Sequence, residues 1–209
     1  MAVESRFRIP SAAYLVIDER PHMELIPVLF GKAGFPPADV ERIATAFRPK
    51  EYAKEDHFVR AGQVSTYLGF VESGMFQYYF PADGEERTTY VTAENTFLAS
   101  VASFLNGTPS NESIRALTPA RVWQINKVEL RKLLEDLPSF KDYYVGLLEW
   151  QIGCIDKSRH ELLVLTSEQR YQRLVDTEPE LLQRIPLQYL ASMVGVTPRH
   201  LSRIRKAVR

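Results

Sequence analysis

Cysteine is almost absent from this sequence: Cys154 is the only one in 209 residues. One cysteine excludes an internal disulfide framework, a zinc site built on a cysteine pair and a cysteine-ligated iron–sulfur cluster. Apolar residues make up 45% of the chain, yet no apolar run approaches the roughly 20 residues of a membrane helix. The N-terminal segment also lacks a convincing leader cleavage site. We therefore expect a globular, cytoplasmic protein.

An excess of charge of either sign is absent as well, since 26 Lys and Arg residues balance 26 Asp and Glu residues. The total therefore gives no indication of a nucleic-acid partner. The distribution is uneven, however: residues 186–209 contain five cations and no acid, so the rest of the chain carries a net charge of −5. The length favours one medium domain plus a small module, and the charge places the basic module at the C-terminus.

Motifs for catalysis and metal binding are missing. The four histidines are isolated, and the sequence has no HxH pair, GxSxG elbow, P-loop or glycine-rich dinucleotide motif. His57 and Cys154 are nominal axial ligands for haem, but we interpret both as structural residues. We expect no metal, no cofactor and no enzymatic activity. The alternative from another class is a small-molecule-binding or cupin-like β-roll protein or enzyme with a C-terminal helical module that reads nothing.

Short β-type segments fill the middle of the chain. Two helical pieces, residues 21–30 and 37–47, precede them. The predicted strands alternate with turn signals. They span residues 67–72, 75–80, 86–91, 114–117 and 121–125. This pattern predicts a small antiparallel barrel or sandwich.

A long helix is predicted after this β region. Asn126 begins a short helix that ends near Leu137, with Glu129 expected to complete a capping box. Beyond Pro138, Ser139 is expected to cap a helix that continues to Thr166. One stripe of this helix follows 3,4 spacing and consists of Val145, Leu148, Ile152, Ile155, Arg159 and Leu162. Such a stripe packs either on a second copy of the helix or on the chain's own barrel; we favour the second copy.

Two short helices close the sequence. The first ends at Gly195, and the second runs from Pro198 to about Ala207 with Thr197 as its N-cap. Their apolar positions are spaced to pack the helices together, a pattern typical of a helix-turn-helix. These positions are Leu190, Ala191, Val194, Val196, Leu201 and Ile204.

The second of these helices is cationic. Arg199 and Arg203 lie four residues apart, and each guanidinium suits the N7 and O6 acceptors of a guanine. The remaining polar positions suit bases or phosphates. The full predicted DNA-binding set is Thr197, Pro198, Arg199, His200, Ser202, Arg203, Arg205 and Lys206. The alternative is a solvated basic helix whose cations complement its own dipole.

The segments EQRYQRL (168–174) and PLQYLASMVGVTPRHLSRIRK (186–206) resemble the Crp/Fnr family of bacterial transcriptional regulators, in particular a subgroup common in Bacteroidetes. The resemblance implies an α+β fold: an antiparallel β-roll like a cyclic-nucleotide-binding jelly roll with flanking helices, a long dimerisation helix and a helix-turn-helix. The corresponding domains are 1–138, 139–166 and 167–209. It further implies a homodimer on a pseudo-palindromic DNA operator, with RNA polymerase and an unknown small-molecule effector as candidate partners.

The ligand pocket departs from the pattern of that family. Members that bind cyclic nucleotides carry a Gly-Glu pair for the ribose and an Arg-Ser or Arg-Thr step for the phosphate. By the resemblance, Ala99-Ser100 and Glu112-Ser113 occupy those places, so a carboxylate replaces the phosphate-pairing cation. Arg115 is a candidate substitute. The expected pocket consists of Phe97, Ala99, Ser100, Val101, Glu112, Ser113 and Arg115, and we expect it not to bind cyclic AMP.

Overall fold

The computed structural model describes residues 25–82 and 84–207. Within them, helices lie at both ends of the chain. They are α1 (Leu25–Lys32), α2 (Pro37–Ala46), α3 (Val101–Asn106), α4 (Lys127–Asp136), α5 (Pro138–Val164), α6 (Ser167–Thr177), α7 (Pro179–Arg184), α8 (Leu187–Val194) and α9 (Pro198–Ala207). The predicted helical piece 21–30 begins outside the described residues. None of the helices described is long and apolar enough to cross a membrane.

The strands form two antiparallel four-stranded sheets. They are β1 (Arg48–Tyr52), β2 (His57–Val59), β3 (Tyr67–Ser73), β4 (Phe76–Ala82), β5 (Glu85–Thr92), β6 (Phe97–Leu98), β7 (Ser113–Ala116) and β8 (Ala120–Asn126). The orders are β1-β8-β3-β6 and β2-β7-β4-β5. The predicted α+β class with an antiparallel jelly roll and C-terminal helices is therefore confirmed.

The two sheets pack face to face around an apolar core. Alternate residues of each strand point inward, so Val71 and Val122 of one sheet meet Phe76 and Ile114 of the other, each with 0% exposure. Gly74 links β3 to β4 with φ 93°, and a Cβ there would lie 2.5 Å from the Cβ of Ala120. Glycine is required at this turn for both reasons.

A second core joins the N-terminal helices to the outer face of the first sheet. Phe30, Phe35, Phe140 and Tyr143 form edge and tilted aromatic pairs with ring centroids 5.5–6.3 Å apart. This cluster holds the first turns of α5 against the roll. Asn126 caps α4 by accepting from the backbone of Val128 and Glu129, as predicted.

Two details of helix capping differ from the prediction. The Glu129 carboxylate pairs with Lys132 at 3.1 Å, one turn further along α4. Helix α5 begins at Pro138, with Leu137 as N-cap and no side-chain cap, so Ser139 is not the capping residue. Proline suits the first helical position because its missing N–H would have no partner there.

Candidate functional site

Helices α8 and α9 form a tight two-helix unit around Gly195. Gly195 adopts the left-handed conformation, φ 78°, and its N–H donates to the carbonyls of Ala191 and Ser192. Thr197 caps α9, since its Oγ1 accepts from the His200 N–H at 3.3 Å. The predicted start of α9 at Pro198 agrees with the structure, and the helix continues to Ala207, the last described residue.

The apolar positions of the unit pack as the spacing predicts. The five residues between the helices, each 0–4% exposed, are Leu190, Ala191, Val194, Leu201 and Ile204. Val196, in the turn, is half-buried and packs against the same cluster. Because the apolar face of α9 is buried against α8, the orientation of its opposite face is fixed as well.

That opposite face is cationic and exposed. Arg199, Arg203, Arg205 and Lys206 are all exposed, and Thr197 and Pro198 lie exposed at the start of the helix. The remaining two predicted residues are half-buried and engaged: the Ser202 hydroxyl donates to the Pro198 carbonyl at 2.9 Å, and His200 Nε2 lies 3.6 Å from a Glu168 carboxylate oxygen. A shallow cleft of about 210 Å³ is lined by Leu187, Ser202, Arg205 and Lys206.

Arg170, on α6, is a positioning residue that the sequence analysis missed. Its guanidinium donates to the Val194 carbonyl at 2.8 and 3.2 Å, to the Leu165 carbonyl at 2.6 Å and to the Ser167 hydroxyl at 3.1 Å. Val194 ends α8 and Leu165 is the C-cap of α5, so one cation satisfies the carbonyl ends of two helices. Arg170 thereby ties the end of α5 to the turn before α9.

The second candidate site lies in the roll, where α3 begins. Ser100 Oγ is 2.9 Å from Ser110 Oγ, and Ser110 Oγ donates to the Glu112 carbonyl at 2.7 Å. The Ala99 N–H donates to the Tyr78 hydroxyl at 3.3 Å. Of the predicted pocket residues, the structure therefore brings Ser100 and Glu112 together. Val101 comes directly after Ser100 as the first residue of α3. Ser110 and Tyr78 were not among the predicted pocket residues.

For four of the predicted pocket residues the prediction is wrong. Ser113 and Arg115 flank Ile114, which points into the core between the sheets, so both lie on the outer face of β7. There Ser113 Oγ accepts from the Ala61 N–H at 2.9 Å. Phe97 stacks edge-on with Phe70, and both it and the Ala99 side chain pack into the helical cluster on the outer side of the other sheet.

Arg115 cannot replace the missing phosphate cation, because its charge is already used on that outer face. It lies 2.6 Å from Glu86 and 3.3 Å from Glu55, donates to Gln77 Oε1 at 2.8 Å and covers the Tyr79 ring. Burial opposes its charge, but these acids outweigh burial and raise the pKa of Arg115.

The electrostatics of the roll pocket disfavour an anion. Burial raises the pKa of Glu112, and a hydrogen bond from the Ser100 hydroxyl only partly opposes that shift. Burial also raises the pKa of Tyr78. None of the groups that meet here is a cation: they are two serine hydroxyls, a phenol, a carboxyl and a backbone N–H.

The nominal haem ligands His57 and Cys154 lie in β2 and α5, respectively. His57 Nε2 lies 3.0 Å from the Tyr79 hydroxyl and 3.3 Å from Arg60. Burial, Arg60 and Arg115 lower the pKa of His57. Cys154 is half-buried on α5, and burial raises the pKa of its thiol. Across the described residues, no three His, Cys, Asp or Glu side chains cluster to hold a metal ion.

Comparison with known proteins agrees with this architecture. Residues 49–136 match the family model of the cyclic nucleotide-binding domain. No curated protein sequence matches the chain. Roll, long helix and C-terminal helices together define the fold of the catabolite-activator type of regulator. The predicted resemblance to the Crp/Fnr family agrees with this fold, which the chain shares with solved structures of such regulators. The Bacteroidetes-type subgroup stays a prediction.

Three solved structures illustrate the similarity. The Thermus thermophilus catabolite activator protein is 21% identical, with a TM-score of 0.54 and 84% of each chain covered. The c-di-GMP-responsive global regulator CLP of Xanthomonas campestris is 19% identical, with a TM-score of 0.64 and coverage of 83% of this chain and 91% of that one. A CooA mutant from Carboxydothermus hydrogenoformans is 14% identical, with a TM-score of 0.64 and coverage of 90% and 85%.

Proposed function

We propose that this chain is a DNA-binding transcriptional regulator that reads its operator with α9. The observation that carries the proposal is the exposed cationic face of α9, whose position is set by the buried contact with α8. A solvated basic helix would need neither the left-handed Gly195 turn nor an apolar face buried against a partner helix. Such a supported helix is the form in which protein side chains enter the major groove. The fold shared with the Thermus thermophilus catabolite activator protein and with CLP supports the same function.

The residues of α9 divide by position into two roles. Arg199 and Arg203 lie one turn apart and suit bidentate pairing with guanine in the major groove. Arg205, Lys206 and the Thr197 end of the helix suit phosphates, which fix the orientation of the helix on the duplex. Pro198 has no N–H and no polar side chain, so it contacts the backbone by shape alone.

Replacement of Arg203 by alanine tests this assignment. We expect Arg203→Ala to weaken binding to a duplex selected from a random pool by about 1–3 kcal/mol and to relax the base preference at one position of each half-site. Fluorescence anisotropy against salt concentration measures the affinity. Arg131→Ala, which removes an exposed cation from α4, is the matched control for net charge. Equal affinity of Arg203→Ala and the control would contradict the assignment.

Dimerisation through α5 is the second part of the proposal. The predicted stripe is largely uncovered by its own chain: Val145 is 44% exposed, Ile152 66%, Ile155 52% and Leu162 62%. Of the apolar residues of the stripe, only Leu148 packs partly against the second core, which joins the N-terminal helices to the first sheet. The stripe repeats at heptad spacing, which favours the same helix of a second copy as its partner. Two copies would present two α9 helices to a pseudo-palindromic operator.

The third part of the proposal is that cyclic AMP is not the effector. The Ser100, Ser110 and Glu112 groups offer a carboxylate and hydroxyls where a cyclic phosphate needs a cation. We expect a calorimetric titration of the protein with cyclic AMP to give no saturable heat. Micromolar affinity would overturn this part and leave the DNA-binding part unaffected.

A further inference from the structure

The sensor roll and the C-terminal helices share one buried core. Met75, Val91 and Leu117 lie on the outer face of the second sheet and are 0–6% exposed. They belong to the same apolar cluster as the C-terminal residues Leu181, Leu190, Leu201 and Ile204. The reader, defined here as residues 167–207, is therefore packed on its own roll as well as joined to it through α5.

A backbone pairing on β5 reinforces this contact. β5 is an edge strand, so its outward backbone groups have no strand partner. Ser192 of α8 takes that place at Thr88: its Oγ accepts from the Thr88 N–H at 2.8 Å and donates to the Thr88 carbonyl at 3.3 Å. The Thr88 side chain is held from the roll side by Gln77 Nε2 at 2.8 Å. The edge of the sheet is thus hydrogen-bonded directly to the first helix of the α8–α9 unit.

An ion pair fixes the other end of the contact. Arg184, the last residue of α7, makes two hydrogen bonds to the Glu94 carboxylate at 2.7 and 2.8 Å. Glu94 Oε1 also accepts from the Gly74 N–H at 3.0 Å, which anchors the acid to the β3–β4 turn. Burial works against this carboxylate, but the bonds from Arg184 and the backbone outweigh it and hold the pKa of Glu94 below its ordinary value. A bidentate pair of this kind stabilises the contact and also constrains the relative orientation of its two partners.

The contact leaves the cationic face of α9 exposed. Its hydrogen bonds come from α7 and α8, and α9 contributes only its opposite, apolar face to the shared cluster. It therefore orients the reading helix without covering it. We propose that the outer face of the roll is a positioning surface for the reader, and that Glu94 and Ser192 are positioning residues that determine which separation of half-sites the dimer accepts. This inference rests on the proposed DNA-binding function. In a dimer joined by α5, readers that are fixed to their rolls present the two α9 helices at one spacing. Readers released from the rolls can adapt to several half-site spacings.

The experiment compares the wild-type chain with Glu94→Gln, Ser192→Ala and the double variant. Asp136→Asn, which breaks the exposed Arg42–Asp136 pair between α2 and α4, is the matched control. The probe is a duplex selected from a random pool, and versions of it with one or two base pairs inserted between the half-sites. We expect the wild type and the control to prefer the selected spacing. For the double variant we expect that preference to fall by about fivefold, with unchanged affinity for an isolated half-site.

Amide hydrogen exchange separates this proposal from DNA binding itself. We expect the Thr88 and Gly74 amides to be protected in the wild type and to exchange faster in the variants, while the interior of the roll stays protected. Unchanged exchange at both amides would overturn the contact whether or not the chain binds DNA. Faster exchange with an unchanged spacing preference would overturn the positioning role. A wild type that binds none of the duplexes would refute the proposed function instead.

Discussion

At the scale of single residues, Glu112 is an acid of the roll that folding makes harder to ionise. Its carboxyl is partly buried beside Ser100 and has no cation among its described partners, so burial raises its pKa. An acid whose pKa is raised by folding supports stability fully below its ordinary pKa of 4.5. That contribution is lost as the pH rises through the raised value.

Glu112→Gln tests this environment. We expect the variant to have a higher Tm than the wild type at pH 8, because glutamine keeps the shape of the acid without its charge. At pH 4 the difference shrinks, since glutamic acid is then largely neutral in both folded and unfolded chains. Thermal unfolding at the two pH values measures the effect. Glu135→Gln, at an exposed position of α4, is the control. A Tm gain that is the same at pH 4 and pH 8 would contradict the buried-charge explanation.

The sequence predicted Ser100 and Glu112 in the roll pocket but not the rest of its lining. The absence of a phosphate-pairing cation follows from the residue types near Ser100. The identity of the lining does not, because it depends on which face of β7 points inward. Ile114 occupies the core, so Ser113 and Arg115 turn outward, and Ser110 in the preceding loop meets Ser100 instead. A one-residue change in register reverses every side chain of a strand.

At the scale of secondary-structure elements, local signals were sufficient where they were strong. The N-cap, proline and glycine of α9 and its turn predicted that helix from Pro198 onward, and short β-type runs between turn signals predicted β3, β4, β5, β7 and β8. Three strands were missed. β1 is an edge strand with Pro49 and four of five residues exposed, so it lacks an apolar alternation. β2 and β6, at three and two residues, are too short to show a period.

Contacts between distant elements lay beyond the sequence analysis. Arg170 reaches the Val194 carbonyl 24 residues away, and Ser192 reaches Thr88 across 104 residues. Neither side chain differs in type from an ordinary surface residue, and only the folded chain brings its partner within reach. Both contacts act on α8, from α6 and from the roll. The orientation of α9 therefore depends on residues outside the two-helix unit that the sequence identifies.

At the scale of the whole molecule, the zero net charge conceals two oppositely charged parts. Residues 186–209 carry five cations without an acid, and the rest of the chain has a net charge of −5. The acidic part, residues 1–185, repels a DNA duplex while the basic residues 186–209 attract it, which favours approach through α9. The two parts are nevertheless one packed body, because the roll residues Met75, Val91 and Leu117 complete the core of the reader.

The uncovered stripe of α5 leads to a prediction about the assembly. We expect light scattering at micromolar concentration to give twice the 24.0 kDa mass of one chain. Ile152→Glu places a charge at the most exposed apolar position of the stripe, where burial between two helices would leave it unpaired, and we expect a monomer that keeps the wild-type circular dichroism. Val164→Glu is the matched control, since Val164 is 60% exposed on the same helix but lies outside the heptad stripe. A monomeric wild type, or equal dissociation of both variants, would contradict dimerisation through this stripe. If only Ile152→Glu is monomeric, its two α9 helices are no longer joined. We then expect that variant to bind a two-half-site duplex with the affinity of a single half-site.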